Sequence, residues 1–318
     1  MKLIEKDKIT GETELVDTVI NKDVLRGLQC LPDNYIDMII TSPPYWGLRN
    51  YKVDGQIGQE ESPEKYVETI RSVFSAARRV LKDTGTLWLN LGDTYMSGGS
   101  PSRHFGYADE KNKKGRNIDF HEPQTNKHET IKPKDLVGIP WRVALALQQD
   151  GWYLRSDIIW HKPNAMPESA QDRPTRDHEY IFLFSKNQKY YYDADAIREP
   201  HTSLDDLKRR KNKTYSQNIT RGGTAEQTLG RNRGEFYHPK GRNKRTVWKI
   251  KIKPYPDTHF AVFPKDLIRP CIQAGCPENG IVLDTFAGSG TTLEVATELN
   301  RHYVGIELNT DYLPMIKK

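Results

Sequence analysis

The sequence predicts an α/β fold in which a mostly parallel sheet of seven strands carries helices on both faces and a hairpin at one edge. Short apolar runs alternate with segments of helical composition over residues 15–184 and again over residues 264–307. Two of the apolar runs end in turn-forming residues, Ser-Pro-Pro at 42–44 and Gly-Ser-Gly at 288–290. We expect both turns at the carboxyl ends of adjacent strands, where open α/β sheets bind their ligands.

The first 95 residues begin this alternation. The run YIDMIIT at 35–41 is apolar almost throughout, which predicts a parallel strand buried on both faces. A second pattern opens on Pro63 and repeats apolar residues every three or four positions, which predicts a helix with one buried face that is stopped by Gly85. Strands are predicted at 15–20, 35–41 and 86–91, and helices at 23–29 and 63–82.

The same alternation continues to residue 307 with one long interruption. Strands are predicted at 157–160, 180–184, 281–284 and 302–307, and helices at 136–149, 264–273 and 291–299. The interruption divides the chain into three predicted parts. These are residues 1–198 with a mobile loop at 97–135, a basic insert at 199–253, and residues 254–318.

The positive charge of the chain is concentrated in the insert. The 318 residues carry a net charge of +6, but residues 199–253 hold fifteen Lys and Arg against five Asp and Glu. The remainder of the chain is therefore mildly acidic. A basic segment of this kind is either a solvated surface or a surface that meets a polyanion such as DNA.

Composition excludes several classes of protein. The amino terminus lacks the apolar core of a secretory signal, and no apolar run approaches the roughly 20 residues that span a bilayer. Three cysteines are too few for a disulfide scaffold or a four-cysteine zinc site, and the histidines of the 97–135 loop lack metal-ligand spacing. We expect a soluble protein of a reducing compartment, without a membrane segment or a metal.

Residues 281–307 have the layout of a nucleotide-binding α/β unit. Strand, glycine-rich turn, helix and strand end on Glu307, 19 residues after Gly288. The glycines allow a ligand close to the turn, and an acid in this position accepts hydrogen bonds from ribose hydroxyls. No P-loop lysine follows Gly290, and Leu293 replaces the third glycine of a dinucleotide fingerprint. The pattern therefore favours a nucleoside without a phosphate tail, a description that S-adenosylmethionine fits.

The strand at 35–41 leads directly into Ser42, Pro43, Pro44 and Tyr45. Two consecutive prolines stiffen the chain and remove two N–H donors, which leaves carbonyl groups without local partners. An exocyclic amine of a nucleobase is a poor nucleophile because its lone pair is delocalised into the ring. Ser42 Oγ and the Pro43 carbonyl could accept both amine hydrogens and free that lone pair, while Tyr45 stacks on a flipped base. The alternative is an ordinary turn.

The two motifs together resemble a known family. TSPPYWGLRNY followed by LDTFAGSGTT is similar to the β-class DNA amino-methyltransferases, in which the catalytic half precedes the target-recognition region and the cofactor-binding half comes last. The resemblance extends over LWLNLGDTY, DIIWHKPNAMPES, RPTRDHEYIFLFSK and HFAVFPKDLIRPCI. It implies the Rossmann-like methyltransferase fold with a circularly permuted motif order, and S-adenosylmethionine as the cofactor.

The resemblance also implies a role for individual residues. The catalytic residues are Ser42, Pro43, Pro44 and Tyr45. The cofactor-binding residues are Asp23, His259, Phe263, Asp284, Phe286, Ala287, Gly288, Gly290, Thr291 and Glu307. The base pocket is formed by Trp46, Trp160, Lys162 and Asn164. The DNA-binding residues of the insert are Arg209, Arg210, Lys211, Arg231, Arg233, Arg242 and Arg245.

The implied reaction is methyl transfer to the N4 amine of a flipped cytosine, because family members whose tetrapeptide begins with Ser mostly modify cytosine. The alternatives are adenine N6 methylation, an RNA or protein amide methyltransferase, and a catalytically silent nucleic-acid-binding protein. Cytosine C5 methylation is disfavoured because Pro270-Cys271 lies in a helix-like run, where Cys271 is expected to pack in the core. The resemblance also implies double-stranded DNA and a cognate restriction endonuclease as partners, with the chain a monomer or a homodimer. It implies a cytoplasmic, DNA-associated protein of a prokaryote or phage.

Overall fold

The computed structural model describes residues 2–4, 15–51, 53–96, 128–201, 238, 240–252 and 263–316. The chain divides into two compact units, one formed by residues 1–192 with 246–318 and the other by residues 193–245. The larger unit contains the sheet. The described part of the smaller unit contains a 3₁₀ turn, Asp195–Ile197, and an ion pair between Arg242 and Glu199 at 3.1 Å.

Nine strands form one sheet in the described part of the larger unit. Their order across the sheet is β1-β2-β9-β8-β3-β4-β6-β5-β7, and β6 is the strand that runs antiparallel to its neighbours. In chain order they are β1 (Lys2–Ile4), β2 (Thr18–Asn21), β3 (Ile36–Thr41), β4 (Leu81–Leu91), β5 (Tyr153–His161), β6 (His178–Ser185), β7 (Val247–Lys249), β8 (Ile281–Asp284) and β9 (His302–Glu307).

The predicted α/β class and the mostly parallel sheet are confirmed, whereas the predicted count of seven strands is wrong. Two strands of three residues each, β1 and β7, extend the two edges of the sheet. The predicted hairpin is β5 and β6, and β7 pairs in parallel with the outer side of β5. Residues 247–249 therefore belong to the sheet, although the sequence placed them in the basic insert.

The helices lie on both faces of the sheet, as predicted. Successive residues of β2 point to opposite layers, because Val19 packs in a cluster with Leu293 and Leu313 whereas Ile20 packs in the cluster of Leu28 and Phe74. The helices are α1 (Val24–Gln29), α2 (Pro63–Val80), α3 (Ile139–Gln149), α4 (Lys265–Gly275), α5 (Thr291–Glu298) and α6 (Leu313–Ile316).

Helix α2 shows how the pattern produces the fold. Ser62 caps its amino terminus by accepting a hydrogen bond from Lys65 N, and Tyr66, Ile70 and Phe74 are fully buried, as their spacing predicts. The expectation that Gly85 ends the helix is wrong. Helix α2 ends at Val80, and Gly85 lies inside β4, where an added Cβ would come within 2.5 Å of Leu81.

The strand order brings the predicted site residues at the ends of neighbouring strands to one edge of the sheet. Strands β3 and β8 are neighbours, so Ser42 and Gly288 follow the carboxyl ends of adjacent strands, as predicted. Strand β9 ends next to β8 and brings Glu307 to the same edge. Because β6 runs antiparallel, its amino end and not its carboxyl end reaches this edge, and Glu179 comes with it.

The predicted mobile loop 97–135 is only partly described, since residues 97–127 lie outside the described residues. Its last residues are held in place: Met96 N donates to Asp135 O at 2.9 Å, and His128 Nε2 lies 3.0 Å from a carboxylate oxygen of Glu64. Cys271 is fully buried in α4, in agreement with its expected packing role. Among the described residues, no helix is both long and apolar enough to cross a membrane.

Candidate active site

A cavity of about 430 Å³ opens at the carboxyl edge of β3, β8 and β9. It joins the two motifs that lie some 240 positions apart in the chain, and a volume of this size suits a small organic ligand. The predicted site residues in its lining are Asp23, Ser42, Pro43, Pro44, Tyr45, Trp160, Lys162, Phe263, Asp284, Phe286, Ala287, Gly288, Thr291 and Glu307.

Of the described residues predicted for catalysis, the cofactor or the base pocket, three do not line this cavity. Trp46 is buried in the core with its indole N–H donating to Glu60 O at 2.9 Å. Asn164 uses both ends of its amide on the backbone of Ile252, at 2.9 Å each, and so fixes the chain beyond β7. Gly290 precedes α5 with φ +85°, where its role is to allow the left-handed turn.

Several predicted site residues lie outside the described residues or in the smaller unit. His259, predicted for the cofactor site, lies outside the described residues, and so do five of the predicted DNA-binding residues: Arg209, Arg210, Lys211, Arg231 and Arg233. Arg242 and Arg245 belong to the smaller unit. All of these assignments stay predictions.

Glu307 holds the glycine-rich turn to the end of β9. Its Oε2 accepts a hydrogen bond from Gly288 N at 2.7 Å, and its Oε1 accepts one from Asn309 N at 2.7 Å. Burial raises the pKa of Glu307 to about 7, although the two amide donors act in the opposite direction. Each oxygen keeps a lone pair for a further donor on the cavity side. The carboxylate therefore both shapes the turn and lines the cavity.

Asp284 has a structural role beneath the turn. Its carboxylate accepts hydrogen bonds from the hydroxyls of Thr41 at 2.6 Å and Thr292 at 2.5 Å, and from Phe286 N at 3.1 Å. Burial raises the pKa of Asp284 above its usual range. These bonds tie the end of β3, the turn and the start of α5 together. Asp284 thus fixes the relative position of the two motifs.

Asp23 also lines the cavity, where it is the amino-terminal cap of α1. One carboxylate oxygen accepts a hydrogen bond from Arg26 N at 3.1 Å, which satisfies a free amide of the first helical turn. The side chain is also within 3.4 Å of the Arg26 guanidinium. Because Asp23 lines the cavity while it caps the helix, its position is fixed before a ligand arrives.

The Ser-Pro-Pro segment forms a rigid rim at the end of β3. The hydroxyl of the buried Tyr66 donates to Pro44 O at 2.9 Å, which fixes the second proline from below. Within the described residues, the Pro43 carbonyl has no protein hydrogen-bond partner, and Ser42 and Pro43 both line the cavity. The rim thus offers a hydroxyl and a free carbonyl side by side, as the sequence predicts.

Tyr45 is hydrogen-bonded to polar side chains that were not predicted from the sequence. Ser42 Oγ donates to the Tyr45 hydroxyl at 3.3 Å, which in turn lies 2.8 Å from Glu179 Oε2 and 3.1 Å from Asn90 Oδ1. The Lys162 ammonium forms an ion pair with the other oxygen of Glu179 and lies 4.3 Å above the Trp160 ring. Burial, with the adjacent Glu179 carboxylate, raises the pKa of Tyr45 well above its usual value.

Comparison with known proteins decides the family. A family model described as a DNA methylase, for the N6 and N4 class, matches residues 36–318 and therefore includes both motifs and everything between them. The chain belongs to this DNA methylase family. It is accordingly a DNA methyltransferase.

Two similar relatives match the methylase over most of its length. The Type II methyltransferase M.SmaI of Serratia marcescens is 47% identical over 300 residues, which cover 94% of this chain and 89% of the relative. The Type II methyltransferase M.Cfr9I of Citrobacter freundii is 47% identical over 296 residues, covering 93% and 85%. The similarity is therefore not confined to the two motifs.

Solved structures share the fold at low sequence identity. The PvuII DNA methyltransferase (cytosine-N4-specific) superposes with a TM-score of 0.61 at 18% identity, over 94% of this chain and 84% of that one. A putative DNA modification methylase of Thermus thermophilus, solved with S-adenosyl-L-methionine, superposes with a TM-score of 0.55 at 20% identity, over 94% and 90%. The Rossmann-like methyltransferase fold of the chain is thereby confirmed.

The cavity of the methylase fits a nucleoside that lacks phosphates. A Cβ placed on Gly288 would meet nothing nearer than the Phe286 carbonyl at 3.9 Å, so the backbone of the turn is open to a ligand. Glu307 offers carboxylate lone pairs, and the aromatic side chains of Phe286 and Tyr312 line the same space. These groups suit the ribose and base of S-adenosylmethionine.

Glu179 and Asn90 of the methylase were not predicted from the sequence. Both lie on strands that read as buried apolar runs, and their proximity depends on the antiparallel pairing of β6 with β4. One signal was present: a charged residue next to a run as apolar as YIFLF is costly to bury unless it has a partner. Such a residue is a candidate for a functional site.

Proposed function

We propose that this methyltransferase modifies the exocyclic N4 amine of a cytosine that is flipped out of double-stranded DNA. The observation that carries the proposal is the rim at the end of β3. There Ser42 Oγ and the Pro43 carbonyl, which has no partner among the described residues, line one cavity with the Gly288 turn. An amine placed there has an acceptor for each of its two hydrogens. The methyl donor would bind on the other side of the same cavity, along the Gly288 turn and Glu307.

The rim residues activate the amine by position. The amine hydrogens of cytosine are donated to Ser42 Oγ and to Pro43 O, which draws the nitrogen lone pair out of conjugation with the ring. Tyr66 donates a hydrogen bond to Pro44 O, next in the chain to Pro43, which limits the movement of the rim. Tyr45, Trp160 and Lys162 supply the surrounding aromatic and polar contacts of the base pocket.

The opposite wall binds the cofactor. S-adenosylmethionine supplies an electrophilic methyl group on a sulfonium. Glu307 would accept hydrogen bonds from the ribose hydroxyls, the Gly288 backbone would allow close approach, and Phe286 and Asp23 would border the adenine. Glu307 is already held by Gly288 and Asn309, so its carboxylate needs little rearrangement on binding.

Residue 42 favours cytosine over adenine. A neutral serine hydroxyl accepts one amine hydrogen bond without placing a carboxylate beside the base, whose desolvation would be costly. The resemblance of the tetrapeptide to members that modify cytosine points the same way. Adenine N6 methylation would use the same rim with a larger base, and it is the outcome that the experiment below separates.

We infer that DNA binding involves the basic insert. Residues 199–253 carry the excess of fifteen Lys and Arg over five Asp and Glu, and they occupy the position of the target-recognition region in the family pattern. The Type II name of M.SmaI and M.Cfr9I supports a role in a restriction–modification pair, with a cognate endonuclease as the partner. DNA that this chain has methylated should then resist that nuclease.

The test is mass spectrometry of nucleosides from duplex DNA incubated with the protein and S-adenosylmethionine. We expect N4-methylcytosine, with the signal lost in a Ser42→Ala variant that still binds the cofactor. N6-methyladenine without N4-methylcytosine would reverse the base assignment and leave the rim in the same role. Label transferred to RNA or protein, with none in DNA, would contradict the proposal as a whole.

A further inference from the structure

We propose that Glu179 is a positioning residue of the methyl transfer that aligns Tyr45 and Ser42 and receives, through their hydroxyls, the proton that the amine releases. The inference rests on the proposed function, since it concerns the same amine at the same rim. It goes beyond that function because it assigns a proton route and an acceptor.

Three side chains form a continuous hydrogen-bonded chain away from the rim. Ser42 Oγ lies 3.3 Å from the Tyr45 hydroxyl, and the Tyr45 hydroxyl lies 2.8 Å from Glu179 Oε2. All three residues line the cavity. The chain starts at the group that accepts an amine hydrogen and ends at a carboxylate.

The directions of these hydrogen bonds follow from Glu179, the acceptor at the far end of the hydrogen-bonded series. Tyr45 has one hydroxyl hydrogen and two acceptors within reach, Glu179 at 2.8 Å and Asn90 Oδ1 at 3.1 Å. The nearer and charged acceptor takes the stronger bond. The Tyr45 oxygen is then left to accept from Ser42, whose hydrogen points away from the base, so that the Ser42 lone pairs are free for the amine.

The neighbours of Glu179 hold it in this role. Lys162 pairs with its Oε1, and the Asn90 amide nitrogen lies 3.3 Å from its Oε2 while it donates to Tyr180 O at 3.0 Å. The side chain is 17% exposed, so it can exchange a proton with water. Burial and the Glu179 charge keep Tyr45 protonated by raising its pKa, which makes Tyr45 a relay and not a base.

The proton balance of the step is complete with these groups. The amine nitrogen forms a bond to the methyl carbon, and the carbon–sulfur bond breaks with its electron pair remaining on sulfur. The nitrogen gains a positive charge and gives one proton to Ser42 Oγ. The Ser42 hydrogen moves to the Tyr45 oxygen, the Tyr45 hydrogen moves to Glu179, and Glu179 later loses it to water.

Two conservative variants test the route. Glu179→Gln keeps the volume but removes the proton acceptor, and Tyr45→Phe keeps the ring but removes the relay oxygen. We expect each to slow single-turnover methyl transfer by about 100-fold, the scale of one proton-transfer group, with the Kd of S-adenosylmethionine within about twofold of wild type. The double variant should be about as slow as the slower single variant, because both changes break one route.

Independent roles would give a different result. Either single variant methylating within about threefold of the wild-type rate, or effects that multiply in the double variant, would overturn the relay. Circular dichroism and cofactor binding establish that each variant is folded. If Glu179→Gln is unfolded, Tyr45→Phe decides alone, since the ring and its packing are retained.

Failure of the relay is distinguishable from failure of the proposed function. Wild-type protein that forms no N4-methylcytosine contradicts the function itself. Wild-type protein that forms it, with variants that match its rate, contradicts only the route through Glu179.

Discussion

At the scale of single residues, the site depends on carboxylates that accept hydrogen bonds from the protein and also line the cavity. Glu307, Asp284 and Glu179 each bind the protein's own donors while they lie at the cavity. A carboxylate that is already hydrogen-bonded is fixed in direction before the ligand binds, which reduces the entropy lost on binding. Burial raises the pKa of Glu307 and of Asp284, because it favours the protonated form of a carboxylate.

Cofactor binding should therefore depend on pH through Glu307. Its pKa of about 7 means that the free protein retains this proton below neutrality. Ribose hydroxyls favour the ionised form, so binding releases the proton and affinity rises with pH. We expect the Kd of S-adenosylmethionine to fall by about tenfold from about pH 6 to about pH 8 in calorimetric titrations. Glu307→Gln should bind more weakly and without this dependence; an equal dependence in that variant would assign the proton to another group.

At the scale of elements, the end of β4 limits where Tyr45 can lie. Gly92 follows the strand, and an added Cβ would come within 2.6 Å of the Tyr45 ring. Gly92→Ala should displace the ring and lower the single-turnover rate by at least about tenfold, with cofactor binding retained. Gly85→Ala is a matched control, since its Cβ would meet Leu81 inside the same strand. It should reduce the free energy of unfolding and leave the rate of the folded protein unchanged; equal rates in both variants would contradict the packing argument.

The sequence predicted the elements that have a strong period or sharp ends. Strands β3, β8 and β9 were predicted within one residue because apolar runs end there in Ser-Pro-Pro, in a glycine turn and in an acid. The edge strand β7 was not predicted, because three residues carry no readable period and its pairing with β5 is set by the tertiary fold. The contact between Tyr45 and Glu179 joins positions 134 apart, and no local pattern encodes it.

At the scale of the whole molecule, the positive charge is concentrated in the basic insert, residues 199–253, whereas the rest of the chain is mildly acidic. DNA binding should weaken steeply with salt, with a log–log slope of about −0.9 per neutralised phosphate. Replacing Arg209, Arg210 and Lys211 by alanine should reduce affinity for all sequences and make the slope shallower by up to about 3. The control replaces three lysines that are already paired with carboxylates in the larger unit, Lys65, Lys134 and Lys265. Equal slopes for both triple variants would make the insert an ordinary solvated surface.

We infer that the two walls of one cavity divide the work, with chemistry at Ser42 and cofactor binding at Glu307. The most direct test measures the Kd of S-adenosylmethionine and the single-turnover methylation rate for Ser42→Ala and Glu307→Ala. We predict that Ser42→Ala lowers the rate by about 100-fold or more with Kd within about twofold, whereas Glu307→Ala raises Kd by about tenfold or more. At saturating cofactor, Glu307→Ala should recover most of the rate. A Ser42→Ala protein that methylates DNA at the wild-type rate would contradict the account.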